Sequence, residues 1–207
     1  MARDEERLAR AQEDPIVGGL PDVPGIGAAL RLTPALGVHL RGLADELLVN
    51  DFPGATISRA EREMLATAVS ASNDCFFCMD SHAEHAAAVL ARDGHSGHGP
   101  LIEALKRGTS HGFDPKMRAL LHVSRTVGRQ ARDLSAGDVQ AAHDVGASDA
   151  DVQLAVLIAA AFSMYNRMVD GFRAKTPPTT EMYKARAADI AEHGYAATPD
   201  RGATSRA

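Results

Sequence analysis

Two cysteines and a histidine lie close together in the middle of the chain, at Cys75, Cys78 and His82. On a helix, residues three or four positions apart share one face, which puts the two cysteine Cα atoms about 5 Å apart. A disulfide tolerates that separation. An imidazole four residues after a thiol can exchange a proton with it, directly or through one water. The spacing therefore predicts thiol chemistry in which Cys78 is the cysteine nearer the base.

A carboxylate and a helix start complete this pattern. Glu63, on the preceding segment, could orient His82 or relay its proton, which makes an activated-nucleophile set. Asp74 is a good N-cap residue, so we predict a helix that begins at Cys75 and runs to about residue 92. Unpaired N–H groups at that helix end would lower the pKa of a thiol, while the Asp74 carboxylate would act against this effect.

Other interpretations of these residues remain open. Two buried cysteines can be ordinary core residues, and a single helical histidine is often a surface residue. Glu63 lies close to Glu61, and Glu61 could act only as a helix-capping residue. Acidic residues at this point of the chain therefore have a structural explanation as well as a functional one. His85 continues the face of His82, and we predict that it lines the substrate site.

Metal binding is the main chemical alternative. Cys75, Cys78, His82 and His85 follow a zinc-like spacing. On one continuous helix, however, the first and last of these lie about 15 Å apart along the axis, so four ligands cannot surround one ion. A site made of Glu63, Cys78 and His82 stays open. Our prediction is that the protein needs no metal and no other cofactor.

Helical periodicity, caps and Gly/Pro breaks predict an all-α fold. Residues 1–32 are expected to be an irregular arm, 33–175 the helical domain, and 176–207 a last helix with a disordered tail. A ninety-residue offset aligns Ser58 with Ser148 and Cys75 with Tyr165, as a duplicated helical unit would; any two capped Ala-rich helices could align equally well. The predicted helices span about 34–49, 59–72, 75–92, 100–107, 115–130, 135–144, 148–171 and 180–193.

Composition excludes several classes of protein. The net charge is −5 and the sequence has no basic block, so nucleic acid is not expected as a partner. The charged N-terminus is not a secretory signal. The longest apolar run, from about Leu154 to Phe162, is too short to span a bilayer. Two cysteines this close make a poor structural staple, and we predict a cytoplasmic protein with a reactive pair.

The pattern Glu-x11-Cys-x2-Cys-x3-His resembles the alkylhydroperoxidase D-like branch of the carboxymuconolactone decarboxylase superfamily, and in particular its peroxidase-related members. The resemblance covers roughly residues 33–172. It includes the later block that runs from GASDAD at 146–151 to the YNR sequence at 165–167. It implies an alkylhydroperoxidase-like helical bundle that assembles as a homo-trimer or homo-hexamer.

The resemblance also implies an activity and a role for each residue. It implies thiol-dependent peroxidase or disulfide-reductase chemistry without haem or metal, with a hydroperoxide as substrate and a dithiol or a partner's disulfide as redox partner. Cys78 would attack the peroxide, and Cys75 would convert the sulfenic acid to a disulfide. Glu63 and His82 would relay the proton. Members often carry a histidine between the cysteines; this chain has Phe77 there and lacks that proton-transfer group.

Two other functions remain as alternatives. The superfamily includes decarboxylases of small lactones, which do not depend on a cysteine pair. The second alternative is a helical oligomer that binds a metal or a partner without catalysis. Such a binding module would tolerate the change Cys78→Ser without functional loss.

Overall fold

The fold consists of α-helices around one central buried helix. The computed structural model describes residues 2–11 and 13–197, and within these ranges it contains helices, one 3-10 turn at Ala131–Asp133 and no strand. The all-α prediction is confirmed. The helices are α1 (Ala2–Ala11), α2 (Ile26–Leu32), α3 (Pro34–Leu48), α4 (Arg59–Ser72), α5 (Phe76–Arg92), α6 (Gly99–Lys106), α7 (Pro115–Gln130), α8 (Ala136–Asp144), α9 (Asp149–Gly171) and α10 (Glu181–Ala197).

Helix α4 is the centre of the molecule. Every residue from 62 to 71 is buried, whichever way its side chain points. A helix that is buried all round must be contacted on every side, and α5, α6, α7 and α9 all pack against it. Alanines and serines make up much of α4, and their small side chains allow these neighbours to approach closely. Glu63 therefore lies deep inside the protein.

Capping boxes set the start of several helices. Ser58 accepts a hydrogen bond from the Glu61 N–H, and Glu61 bonds back to the Ser58 N–H at the start of α4. Ser148 and Asp151 make the same reciprocal pair at the start of α9. Both pairs have the S/T-x-x-D/E spacing that is typical of a capping box. The two matching boxes are consistent with a duplicated unit, which stays a prediction.

The turn between α4 and α5 differs from the prediction. Asp74 has a left-handed backbone with φ of 54°, and the N-cap of α5 is Cys75, with extended backbone. Asp74 can adopt this conformation because a short polar side chain tolerates it better than most. The residue that reverses the chain is therefore Asp74, and the helix begins one residue later than expected.

Both ends of the chain contain more helix than predicted. The irregular arm expected over 1–32 includes α1 and α2, so that part of the prediction is wrong. Val23, Ala28 and Leu30 of this arm are buried against the domain, whereas Leu8 and Ile16 are exposed. Helix α10 extends beyond residue 193, across a kink at Gly194. The disordered tail predicted for 198–207 lies outside the described residues.

Helix α9 is longer than the apolar run that it contains. Among the described residues it is the one helix that could cross a membrane by length and composition alone, and 56% of its apolar window is buried inside this fold. A core helix passes the same test.

A buried carboxylate joins α9 to the loop before α4. Asp151 Oδ1 accepts hydrogen bonds from the N–H groups of Thr56, at 2.6 Å, and Ile57, at 3.1 Å, and Oδ2 accepts from the Thr56 hydroxyl at 2.7 Å. Burial raises the pKa of Asp151, but the bonds from Ser148, Thr56 and Ile57 outweigh that effect and lower it overall. Asp151 is thus both a helix cap and a tertiary contact.

We predict that Asp151→Ala lowers the free energy of unfolding by about 2–4 kcal/mol, because it leaves the N–H groups of Thr56 and Ile57 without their acceptor. Asp138→Ala is the matched control: Asp138 forms the same box with Ser135 at the start of α8 but is partly exposed. It should lower the free energy of unfolding by less than Asp151→Ala does, because it removes a cap at the surface. Urea unfolding of both variants measures the difference, and equal losses would contradict the tertiary role of Asp151.

Candidate active site

The start of α5 brings the two cysteines together. Cys75 is the N-cap and Cys78 the third helical residue, which are the positions that Ser58 and Glu61 occupy in the capping box of α4. Side chains at these two positions meet across the first turn. Both cysteines are free and buried, with Cys75 0% and Cys78 3% exposed. Local helix geometry therefore places the two cysteine side chains next to each other, as a disulfide requires.

Cys75 lies in an environment that keeps it protonated. A hydrogen bond with Cys78, burial and the nearby Asp170 carboxylate of α9 together raise its pKa well above the usual value. The prediction that the helix N-terminus lowers thiol pKa values is thus wrong for Cys75, because these three effects are stronger. The opposing carboxylate is Asp170 rather than Asp74. Burial raises the pKa of Asp170 as well, against a hydrogen bond from Cys75 that lowers it.

His82 and Glu63 form a short contact, as their spacing suggested. His82 Nδ1 lies 2.7 Å from Glu63 Oε2, and the Glu63 side chain is fully buried. Because a carboxylate oxygen accepts, the hydrogen is on Nδ1 of His82. The second ring nitrogen, Nε2, is then the unprotonated one. A carboxylate that holds the tautomer in this way makes the imidazole a base at Nε2.

Tyr195 is a site residue that the sequence reasoning missed. Its hydroxyl donates to Glu63, at 2.7 Å from Oε1 and 2.9 Å from Oε2, and lies 2.9 Å from His85 Nδ1. Burial and the Glu63 charge raise the pKa of Tyr195 well above 10, so it is a neutral donor. Burial lowers the pKa of His85 well below 6.5, with the His82 charge next in importance, so His85 is neutral and donates Nδ1–H to the Tyr195 oxygen.

A glycine and a carboxylate position this tyrosine. Gly194 has φ of 80°, a conformation that kinks α10 just before Tyr195. Beyond the kink, Asp45 of α3 accepts from the Tyr195 N–H at 2.6 Å and from the Ala196 N–H at 2.9 Å. Asp45 thus caps the last turn from outside the helix. The sequence signal was a Gly-Tyr pair at the point where the predicted helix ended.

A cavity of about 300 Å³ opens beside these groups. Cys78, His82, His85 and Tyr195 contribute to its wall, whereas Cys75 does not. Most of the remaining wall is apolar, and charged side chains also contribute to it. A small organic molecule that enters this cavity could therefore contact Cys78 but not Cys75. The apolar wall includes Val23, Ile26, Leu30, Leu40, Phe77, Phe162, Tyr165 and Tyr183, and the charged side chains are Arg41, Arg186 and Asp189.

Phe77 occupies the position between the cysteines. Its ring packs against Tyr183 with centroids 5.5 Å apart, and it lies directly over Gly25. A Cβ atom at Gly25 would fall 2.2 Å from the Phe77 ring, and Gly25 has φ of 56°. The segment before α2 therefore closes over the cysteines and can do so because it has a glycine there. Phe77 itself contributes packing to the site.

Among the described residues, the potential metal ligands that come together are Glu63, His82 and His85, whose ligand atoms lie within 4.8 Å of one another. Cys78 is not part of this cluster, in contrast to the alternative that the sequence left open. Of the residues on α9, Tyr165 lines the cavity and donates to the Leu40 carbonyl at 2.7 Å.

Residues 39–123 match the model of the carboxymuconolactone decarboxylase family. The segment is thus similar to the family that the cysteine motif resembles. It contains the cysteines, Glu63 and both site histidines. Tyr195 and the segment that covers the cysteines lie outside it.

Two solved structures share the fold. One is an uncharacterised peroxidase-related protein from Silicibacter sp. TM1040, with 22% identity and a TM-score of 0.63 over 84% of this chain and 93% of that one. The other is described as an alkylhydroperoxidase AhpD core, an uncharacterised peroxidase-related protein from Ralstonia eutropha JMP134, with 22% identity and a TM-score of 0.65 over 91% and 90%. The alkylhydroperoxidase-like helical fold is therefore confirmed. No curated protein matches the sequence.

We predict that Gly194→Ala lowers the free energy of unfolding by about 1–3 kcal/mol, because a side chain there is strained at this φ and its Cβ would fall 2.8 Å from Asp45 Oδ1. Gly42→Ala is the control, since Gly42 lies inside α3 with open space around it. That change should stabilise the helix by about 0.5–1 kcal/mol. Thermal unfolding tests both, and a neutral Gly194→Ala variant would contradict the role of the kink.

Proposed function

We propose that this protein is a cysteine-based oxidoreductase that reduces an organic hydroperoxide or a partner's disulfide at Cys78. The observation that carries the proposal is the different setting of the two sulfurs. Cys78 belongs to the wall of the cavity beside His82, and Cys75 lies behind it, fully buried and held as a thiol. An attacking and a resolving cysteine need this division.

The reaction has two steps. The Cys78 thiolate attacks the outer oxygen of a hydroperoxide, the O–O bond breaks, and Cys78 becomes a sulfenic acid while the alcohol leaves. Cys75 then attacks the Cys78 sulfur as its proton passes to the departing hydroxide, which leaves as water, and the Cys75–Cys78 disulfide forms. Two electrons pass from the cysteine pair to the peroxide. An external dithiol reduces the disulfide and restores both thiols.

His82 handles the proton in this scheme. Its Nε2 takes the proton of the Cys78 thiol and returns it to the leaving alkoxide. Glu63, bonded to Nδ1 at 2.7 Å, stabilises the imidazolium that forms between these events. Tyr195 holds the Glu63 carboxylate from the other side, with bonds of 2.7 and 2.9 Å. The proton thus moves from Cys78 to His82 and then to the departing alkoxide, while the Glu63 carboxylate stays in place.

The size and lining of the cavity support an organic substrate. A volume of about 300 Å³ with a mostly apolar wall suits a hydroperoxide with an apolar group of modest size. We also propose that the protein works as a homo-oligomer in the cytoplasm, where such a pair stays reduced. Exposed apolar side chains on α3 and α9 support the oligomer; they are Leu36, Val38, Leu43, Leu157 and Met164.

We predict that one equivalent of an organic hydroperoxide removes both free thiols of the protein, and that Cys78→Ser abolishes peroxide loss. Cys75→Ser is the matched variant. It should consume one equivalent and stop at the sulfenic acid, which dimedone traps. Thiol titration with mass spectrometry measures this. If the wild-type protein keeps both thiols and the peroxide, the peroxidase proposal is wrong, and an assay with dihydrolipoamide then tests disulfide reduction.

A second candidate function is proton-transfer chemistry of the lactone-decarboxylase kind. The family match over 39–123 favours it, and the His82–Glu63 pair beside the cavity could move a proton without a thiol. The two functions differ in their need for sulfur. A Cys75→Ser, Cys78→Ser double variant would keep a lyase activity on carboxymuconolactone and lose every thiol-dependent one.

We predict that Glu63→Gln slows sulfenic acid formation roughly 10- to 100-fold, because the neutral amide does not stabilise the imidazolium. Tyr195→Phe should slow it by about 3- to 10-fold, since it loses the bond that holds the carboxylate. If Tyr195 acts through Glu63, the double variant is no slower than Glu63→Gln alone. Additive losses in rapid-mixing rates would show instead that Tyr195 acts independently.

A further inference from the structure

The polar cluster around Glu63 has the composition of a metal site. Four ligand atoms from three helices meet there: Glu63 Oε2 from α4, a ring nitrogen each of His82 and His85 from α5, and the Tyr195 hydroxyl from α10. Imidazole, carboxylate and phenolate are donors that first-row divalent ions accept. The cluster contains no sulfur, so it differs from the thiol pair.

Five of the six separations among these atoms are close to those around a tetrahedral ion. A zinc ion with bonds of 2.0–2.1 Å holds its ligand atoms about 3.3 Å apart. Glu63 Oε2 lies 2.7 Å from His82 Nδ1, 3.8 Å from His85 Nδ1 and 2.9 Å from the Tyr195 oxygen. That oxygen lies 3.3 Å from His82 Nδ1 and 2.9 Å from His85 Nδ1. These five separations differ from the tetrahedral value by about 0.6 Å or less, and the ligand nitrogens of the two histidines lie within 4.8 Å of each other.

The surroundings also suit an ion. Ser81 Oγ lies 3.4 Å from His85 Nε2, where it can accept the hydrogen that this nitrogen carries once Nδ1 binds a metal. His82, His85 and Tyr195 line the cavity, which provides a path for entry. Glu63 is fully buried, and a bound cation would neutralise its charge.

We propose that Glu63, His82, His85 and Tyr195 bind one divalent first-row cation, with zinc as the probe, and that the bound ion switches off the base at His82. On binding, each histidine moves its proton from Nδ1 to Nε2, and Tyr195 releases its proton to solvent. The protein then carries Nε2–H at His82, where the thiol chemistry needs an acceptor. Binding rests on the geometry alone, and its inhibitory consequence rests on the proposed function.

Isothermal titration of Zn²⁺ into a Cys75→Ser, Cys78→Ser variant tests the binding, because this variant has no thiols. We expect one ion per chain, with proton release that appears as a dependence of the heat on the buffer. On the same background, Tyr195→Phe should weaken binding about 10- to 100-fold and remove the proton release, and Glu63→Gln should weaken it at least as much. His122→Asn, which alters an exposed His–Asp pair on α7 and α8, is the control and should change nothing.

Each outcome decides the proposal. Loss of binding in the thiol-free variant would place the zinc on the cysteines and overturn it. Binding that survives both Glu63→Gln and Tyr195→Phe would place the ion elsewhere and also overturn it. Long-range ¹⁵N NMR of His82 in the thiol-free variant tests the switch without any activity measurement: the hydrogen should move from Nδ1 to Nε2 when zinc is added, and a hydrogen that stays on Nδ1 refutes it.

Discussion

The buried carboxylate of Glu63 is the constraint on which the site depends. A charge with no exposure in the middle of α4 is costly unless other groups hydrogen-bond to it. The α4 residues one turn away do not supply those groups: Ala60 and Ala66 have no side-chain donor, and Arg59 donates to the carbonyl groups of Ile190 and Ala191. His82 of α5 and Tyr195 of α10 supply them instead. The requirement to satisfy one carboxylate thus fixes the positions of two other helices relative to α4, and with them the base that faces the cavity.

The site is assembled from two kinds of sequence. The segment that matches the carboxymuconolactone decarboxylase family, 39–123, provides the cysteines, the carboxylate and the histidines. The flanking segments provide the enclosure. The loop before α2 covers Phe77 through Gly25, and α10 closes the far side through Gly194 and Tyr195. Both glycines have backbone conformations that other residues rarely adopt, so each covering segment depends on a glycine at that position.

Access to the cavity separates the roles of two chemically identical thiols. Cys75 is surrounded by apolar side chains of the N-terminal segment and α9, including Val23 and Val169, and this environment together with Asp170 keeps its proton in place. Cys78, three residues later, reaches the cavity wall. The helix sets the distance between the sulfurs, and the packing around them makes them unequal. The same carboxylate–histidine geometry that suits proton transfer also resembles a metal site, because both need acceptors and donors held at short range.

Local sequence signals determined most of the helices and part of the site. Capping boxes at Ser58 and Ser148, Gly breaks and the Cys-Cys-His spacing all act over a few residues, so they could be read without a structure. Asp74 was misread because a cap and a left-handed turn favour the same residue. Tertiary structure decided which thiol lines the cavity, and it brought Tyr195 to Glu63 across 132 positions of sequence. Contacts at that range leave no periodic signal, since they depend on how whole helices pack rather than on neighbouring residues.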